Sequence, residues 1–166
     1  MKRHAWKALL VALLAADAVY YALAGTPSKA VDAAAWLVLL VLFEIEARCV
    51  RADTPEGYRS ALRFARLIAA AGVVAATAGY LFEDNVLDTV NSGVWIAVVI
   101  LLEVEFRYPS LVARARVAFG SVAVALYGGL AALVAIWAWR GEWFDAYDAA
   151  LWLIAFATIE MDAVKA

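Results

Sequence analysis

Residues 32–46 read DAAAWLVLLVLFEIE, residues 91–105 read NSGVWIAVVILLEVE and residues 148–162 read DAALWLIAFATIEMD. Laid on their tryptophans, Trp36, Trp95 and Trp152, the stretches agree in four further columns. Asp32, Asn91 and Asp148 stand four residues before the Trp, and Glu44, Glu103 and Glu160 stand eight after it. Glu46, Glu105 and Asp162 follow two residues later. Fifteen residues before each Trp, near the end of the preceding apolar segment, come Tyr21, Tyr80 and Trp137. With 16 Asp and Glu in 166 residues, two acidic columns in three copies point to a duplicated helical hairpin. The copies differ at their ends: Lys29 stands where the others have Asp88 and Asp145, and Val164 where the others have Arg48 and Arg107.

The apolar share is 67%, far above the ~45–50% of water-soluble domains, and the mean hydropathy is +0.80. Charged residues, 18% of the chain, cluster between apolar runs long enough to cross a bilayer. The sequence therefore predicts an all-α integral membrane domain over residues 1–166. It is read as a six-helix transmembrane bundle of three tandem hairpins, about 1–50, 58–108 and 112–166, with pseudo-threefold symmetry. The spans fall at about Ala5–Ala24, Val31–Cys49, Ala61–Phe82, Thr89–Phe106, Arg116–Trp139 and Ala146–Val164. Gly25-Thr26-Pro27-Ser28, Asp53-Thr54-Pro55-Glu56-Gly57 and Arg107-Tyr108-Pro109-Ser110 punctuate them. Met1 to Gly25 also has the outline of a secretory signal ending in Ala22-Leu23-Ala24. Its long apolar stretch and its fit to the repeat favour a first span.

If the helices alternate, Lys2, Arg3, Lys7, Arg48, Arg51, Arg59, Arg63, Arg66, Arg107, Arg114, Arg116 and Lys165 share one side. Lys29 and Arg140 fall on the other, with Glu83, Asp84, Asp88, Glu142 and Asp145. The positive-inside rule then puts both termini in the cytoplasm. A net charge of −2 gives no basic field for nucleic acid. One cysteine, Cys49, and one histidine, His4, supply neither a disulfide nor a haem or histidine-rich metal centre.

The columns matter because of depth. Twelve residues separate Asp32 from Glu44, as in the other copies, or ~18 Å of helix inside a hydrocarbon core of ~30 Å. At least one polar rung of each even-numbered helix then lies within the membrane, where an exposed carboxylate costs at least ~2.5–3.5 kcal/mol. At ~100° per residue, Trp and Asp/Asn share a face and the two acidic rungs flank it. Glu44, Glu103 and Glu160 are expected to point into the bundle. Glu44 with Arg48 and Glu103 with Arg107 have ion-pair spacing, whereas Glu160 has no arginine four residues on.

Each column also has a structural reading. Asp32, Asn91 and Asp148 fit N-cap or first-turn residues. Trp36, Trp95 and Trp152 fit core packing as well as a constriction. Tyr21, Tyr80 and Trp137 read as interfacial aromatics, the glutamates as a salt-bridge network, and Asp17 as a lone polar contact. Gly72, Ala75, Ala76 and Gly79 mark a small-residue packing face.

Two functions follow. The first is a proton or small-cation channel or transporter using the acidic rungs, alone or as a homo-oligomer. The alternative is a non-catalytic accessory or structural subunit of a larger membrane complex, binding lipid, pigment, quinone or partner helices. Catalysis is the weakest reading, since no triad, phosphate loop or histidine–carboxylate set is present, and the residues specify no cofactor. A carboxylate-only site for Mg, Ca or Mn stays open.

Overall fold

The computed structural model describes residues 2–49 and 54–163, and every regular element in them is helical. The order is α1 (Lys2–Ala24), α2 (Pro27–Cys49), α3 (Glu56–Phe82), α4 (Val86–Arg107), α5 (Pro109–Arg114), α6 (Arg116–Arg140) and α7 (Trp143–Ala163). Five of these contain an expected segment and most extend it by a few residues, and α7 covers the sixth as far as Ala163. The seventh, α5, occupies what the sequence reads as a plain loop. Pro109 opens it at its first turn and Ala115, at φ −116°, ends it. Asp53, Val164 and Lys165 lie outside the described residues.

Among the described residues, four helices are long and apolar enough to cross a membrane: Trp6–Ala24, Glu56–Phe82, Val86–Glu105 and Arg116–Arg140. Their length and composition suit a membrane protein. α2 matches them in length, but Lys29, Asp32, Glu44 and Glu46 interrupt its apolar run. Exposed aromatics stand near helix ends: Trp6, Tyr20, Tyr58 and Phe82 in the first half of the chain, Tyr108, Trp139 and Trp143 in the second. Such rings settle at the two headgroup layers of a bilayer.

The chain divides into two compact units, Met1–Asn85 and Val86–Ala166, a boundary that falls inside the second sequence hairpin. In the first, α2 packs against both α1 and α3, most extensively against α3. The α2–α3 pair is antiparallel, in a register fixed by Ser28 with Glu83, Asp32 with Tyr80, and Glu46 with Arg66. The helices approach closely because small residues face each other. A Cβ on Gly72 would sit 3.2 Å from that of Ala35, and one on Gly79 would collide with Ser28 Oγ. Ala76, one turn from each, is buried. The expected small-residue face is present at Gly72, Ala76 and Gly79, while Ala75 is exposed.

In the second unit α6 is central, packing on both α4 and α7. Leu130, Leu133 and Trp137 are its buried residues. Gly141, at φ +80°, ends α6 in the left-handed conformation that glycine adopts without a Cβ clash. Its N–H and that of Glu142 close back onto the α6 carbonyls of Ala138 and Trp137.

Candidate functional site

Asp32, Asn91 and Asp148 each stand five residues after the first residue of their helix, at Pro27, Val86 and Trp143. That is ~7.5 Å along the axis and in the second turn, so the N-cap or first-turn reading is corrected. In α2 the capping role falls to Thr26, whose Oγ1 accepts the Lys29 N–H at 3.3 Å. With the cap supplied elsewhere, the second-turn polar groups are turned to other neighbours.

The geometry is fullest in the first unit. Asp32 Oδ2 accepts the Tyr80 hydroxyl at 3.1 Å, and Asp32 Oδ1 is buried and receives no hydrogen bond. Asp17, seven residues before the end of α1, is only 5% exposed, and its Oδ2 is buried without a donor. Thr26 and the first turn of α2 clamp Glu83: Ser28 Oγ donates to Oε1 at 2.6 Å and Thr26 Oγ1 to Oε2 at 2.9 Å. The Ser28 hydroxyl bond is the main reason the Glu83 carboxyl is held below its ordinary value. Burial, the next largest influence, opposes it, and the Thr26 bond, the Ser28 N–H and the charge of Lys29 each add a smaller lowering effect. Lys29 itself lies over the Tyr21 ring, 5.6 Å from its centroid.

The second unit repeats the polar oxygens in aromatic surroundings. Asn91 Oδ1 and Asp148 Oδ1 are buried and receive no hydrogen bond. Asp88 and Ser92, four residues apart on α4, are buried too, Ser92 completely. One turn deeper, Trp95 and Trp152 are joined through Phe156, with ring centroids 4.6 and 6.3 Å apart. Trp36, Trp95 and Trp152 are all buried, each four residues from its Asp or Asn, as the shared-face reading requires.

The glutamate rung behaves differently. Glu103 is exposed and ion-paired to Arg107, so the expectation that it points inward is corrected. An arginine one turn away lets this carboxylate stay at the surface, and the pair spares it a buried position. Glu44 is partly buried. Glu46 joins Arg66 across α2 and α3 at 3.0 Å, tying two helices rather than forming part of an acidic ring. The side chains of Arg48, Glu160 and Asp162 lie outside the described residues. Among the described residues no three His, Cys, Asp or Glu converge to hold a metal ion.

Two features were not readable from the string. Tyr21, Tyr80 and Trp137 are buried within the protein, and Tyr80 bonds the Asp column of the preceding copy. Their recurrence beside the Asp/Asn column, at the same ends of the helices, was the available signal. Phe156 carries no counterpart in the other copies, so nothing marked it out. No protein-family model, curated protein or solved structure matches the chain.

Proposed function

We propose that the protein takes up protons or a small cation at the buried Asp/Asn level of its helices, rather than at the glutamate rung. The observation that carries this reading is a set of buried acceptor oxygens without donors, Asp17 Oδ2 and Asn91 Oδ1. Asp32 and Asp148, in the same turn of their own helices as Asn91, are half-buried. A proton or a cation would satisfy Asp17 Oδ2, a cation or a water would satisfy Asn91 Oδ1, and leaving either bare in an apolar interior costs ~1–3 kcal/mol. Glu103 and Glu46, by contrast, are already neutralised by arginines. The buried tryptophans one turn deeper supply the narrowing that ion selectivity uses.

The three hairpins related by an axis along the membrane normal, and both termini in the cytoplasm, belong to the same proposal, on the strength of the sequence columns and the basic-residue distribution. Single cysteines at positions 32, 91 and 148, labelled from either side in vesicles, should react alike and only from the side opposite the termini. Unequal reactivity would remove the symmetric arrangement.

Purified protein in liposomes should dissipate an imposed proton or potassium gradient. Asp32→Asn with Asp148→Asn should slow this about tenfold or more, while Glu103→Gln should leave the rate within about twofold. If folded protein alone passes no ion, the transport reading fails, and the accessory-subunit reading takes its place.

A further inference from the structure

From the junction of α5 and α6 we infer a binding site for one anionic phospholipid, its headgroup on Arg114 and Arg116 and an acyl chain along the first half of α6. The arginines on the basic side of the described chain are not equivalent. Arg63 is ion-paired to Glu56, Arg66 to Glu46 and Arg107 to Glu103. Arg114 and Arg116 are exposed and make no ion pair or hydrogen bond among the described residues. The first turn of α6 has no acidic residue to neutralise them. Two unbalanced guanidiniums, separated by the single residue Ala115 where the chain breaks between helices, suit the fork geometry of a phosphate.

A shallow, open groove of about 610 Å³ begins at Arg116 and runs past Val117, Gly120 and Ser121 to Val124 and Ala125. The stretch from Arg116 to Ala125 covers ~14 Å of helix, enough to seat a substantial part of one acyl chain. Gly120 and Ser121 are among its lining residues, and an added Cβ at Gly120 would meet open space. Val117 and Val124 are 84% and 75% exposed, so the protein leaves the groove uncovered. A cationic mouth over an apolar trough is complementary to an anionic lipid, whose charge and chain are joined at that separation. A zwitterionic lipid would fill the trough but gain less at the mouth. Anionic lipids concentrate in the cytoplasmic leaflet, the side on which the basic residues are placed by the charge rule.

The test compares purified full-length protein in detergent, titrated with phosphatidylglycerol or with phosphatidylcholine of the same chains, read by native mass spectrometry as lipid retained. Wild type should retain phosphatidylglycerol preferentially. Arg114→Gln and Arg116→Gln should each lower that retention ~5-fold, the effect of one arginine near an anionic headgroup. Arg63→Gln, on an arginine already paired, should not. Gly120→Trp, on an exposed helix face where it does not disturb packing, should lower retention of both lipids. The site is wrong if wild type shows no preference, or if the preference survives in the double arginine variant. It is also wrong if glycerol phosphate without chains competes equally. A change of oligomeric state in Gly120→Trp with unchanged lipid retention would make the groove a helix contact instead.

Discussion

In Met1–Asn85, α3 reaches α2 through Gly72, Ala76 and Gly79, and the backbones come close enough for Tyr80 to bond Asp32 and for Ser28 to bond Glu83. In Val86–Ala166 the glycines at 93, 120, 128 and 129 face open space, and bulk fills the interior instead, with Trp95, Phe156 and Trp152 in contact and Trp137 buried. Both units bury polar oxygens at the same helical position. The contrast shows that a repeated sequence column fixes where a polar group sits along a helix, while the neighbouring residues decide whether a hydroxyl such as that of Tyr80 meets it. Within a bilayer the first solution depends on fit and directed bonds, because lipid supplies no hydrophobic drive between helices.

The largest expected difference between the units comes from adding a side chain to a glycine. Gly79→Leu must push α3 off Ser28 and should cost about 3 kcal/mol, the upper end of ordinary overpacking. Gly93→Leu, into open space, should stay within about 0.5 kcal/mol of wild type. Unfolding in mixed micelles with increasing dodecyl sulfate would measure both. Equal effects would mean that the first unit is not held by close approach.

A smaller effect belongs to the hydroxyl of Tyr80. Tyr80→Phe removes only the donor to Asp32 and should cost about 0.6 kcal/mol, the average for interhelical hydrogen bonds in membranes. A double-mutant cycle with Asp32→Asn gives the coupling directly. A coupling of zero would leave Tyr80 as a packing ring, like Trp137 in the other unit.

The segments were legible because apolar runs of bilayer length admit few alternatives, and the glycine and alanine face because small residues recurred at helical spacing. Trp36, Trp95 and Trp152 were placed on the same face as their Asp or Asn by periodicity alone. What periodicity cannot encode is the identity of the neighbour across an interface. Glu46 reads as a rung until Arg66 is seen opposite it, and Tyr80 as a headgroup aromatic until Asp32 is. The helix α5 was missed for a related reason: six residues give too short a window for an apolar pattern.

The smallest effect is one of pH and falls on the first unit. The Glu83 carboxyl is held below its ordinary value chiefly by Ser28, so the folded state favours its ionised form. The stability this supplies is fully present above the unfolded carboxylate value and is lost as pH falls through the lower folded value. Wild type should therefore lose more stability than Glu83→Gln between pH 6 and pH 3, taken as about the acidic range for carboxylates. Parallel curves would remove the clamp from the account. The corresponding turn of the second unit, closed by Gly141 and the Arg140–Glu142 pair, lacks such a hydroxyl clamp among its described bonds.

The close seam between α2 and α3 has a consequence for biosynthesis. Ser28, Asp32, Ala35 and Glu46 find their partners at Gly72, Tyr80, Glu83 and Arg66, all translated before Val86. At ~5–20 residues per second, the ribosome needs several more seconds to complete the chain, far longer than the time in which neighbouring helices meet. The nascent first unit thus already holds the partners of Ser28, Asp32 and Glu46 while the translocon is still delivering the remainder.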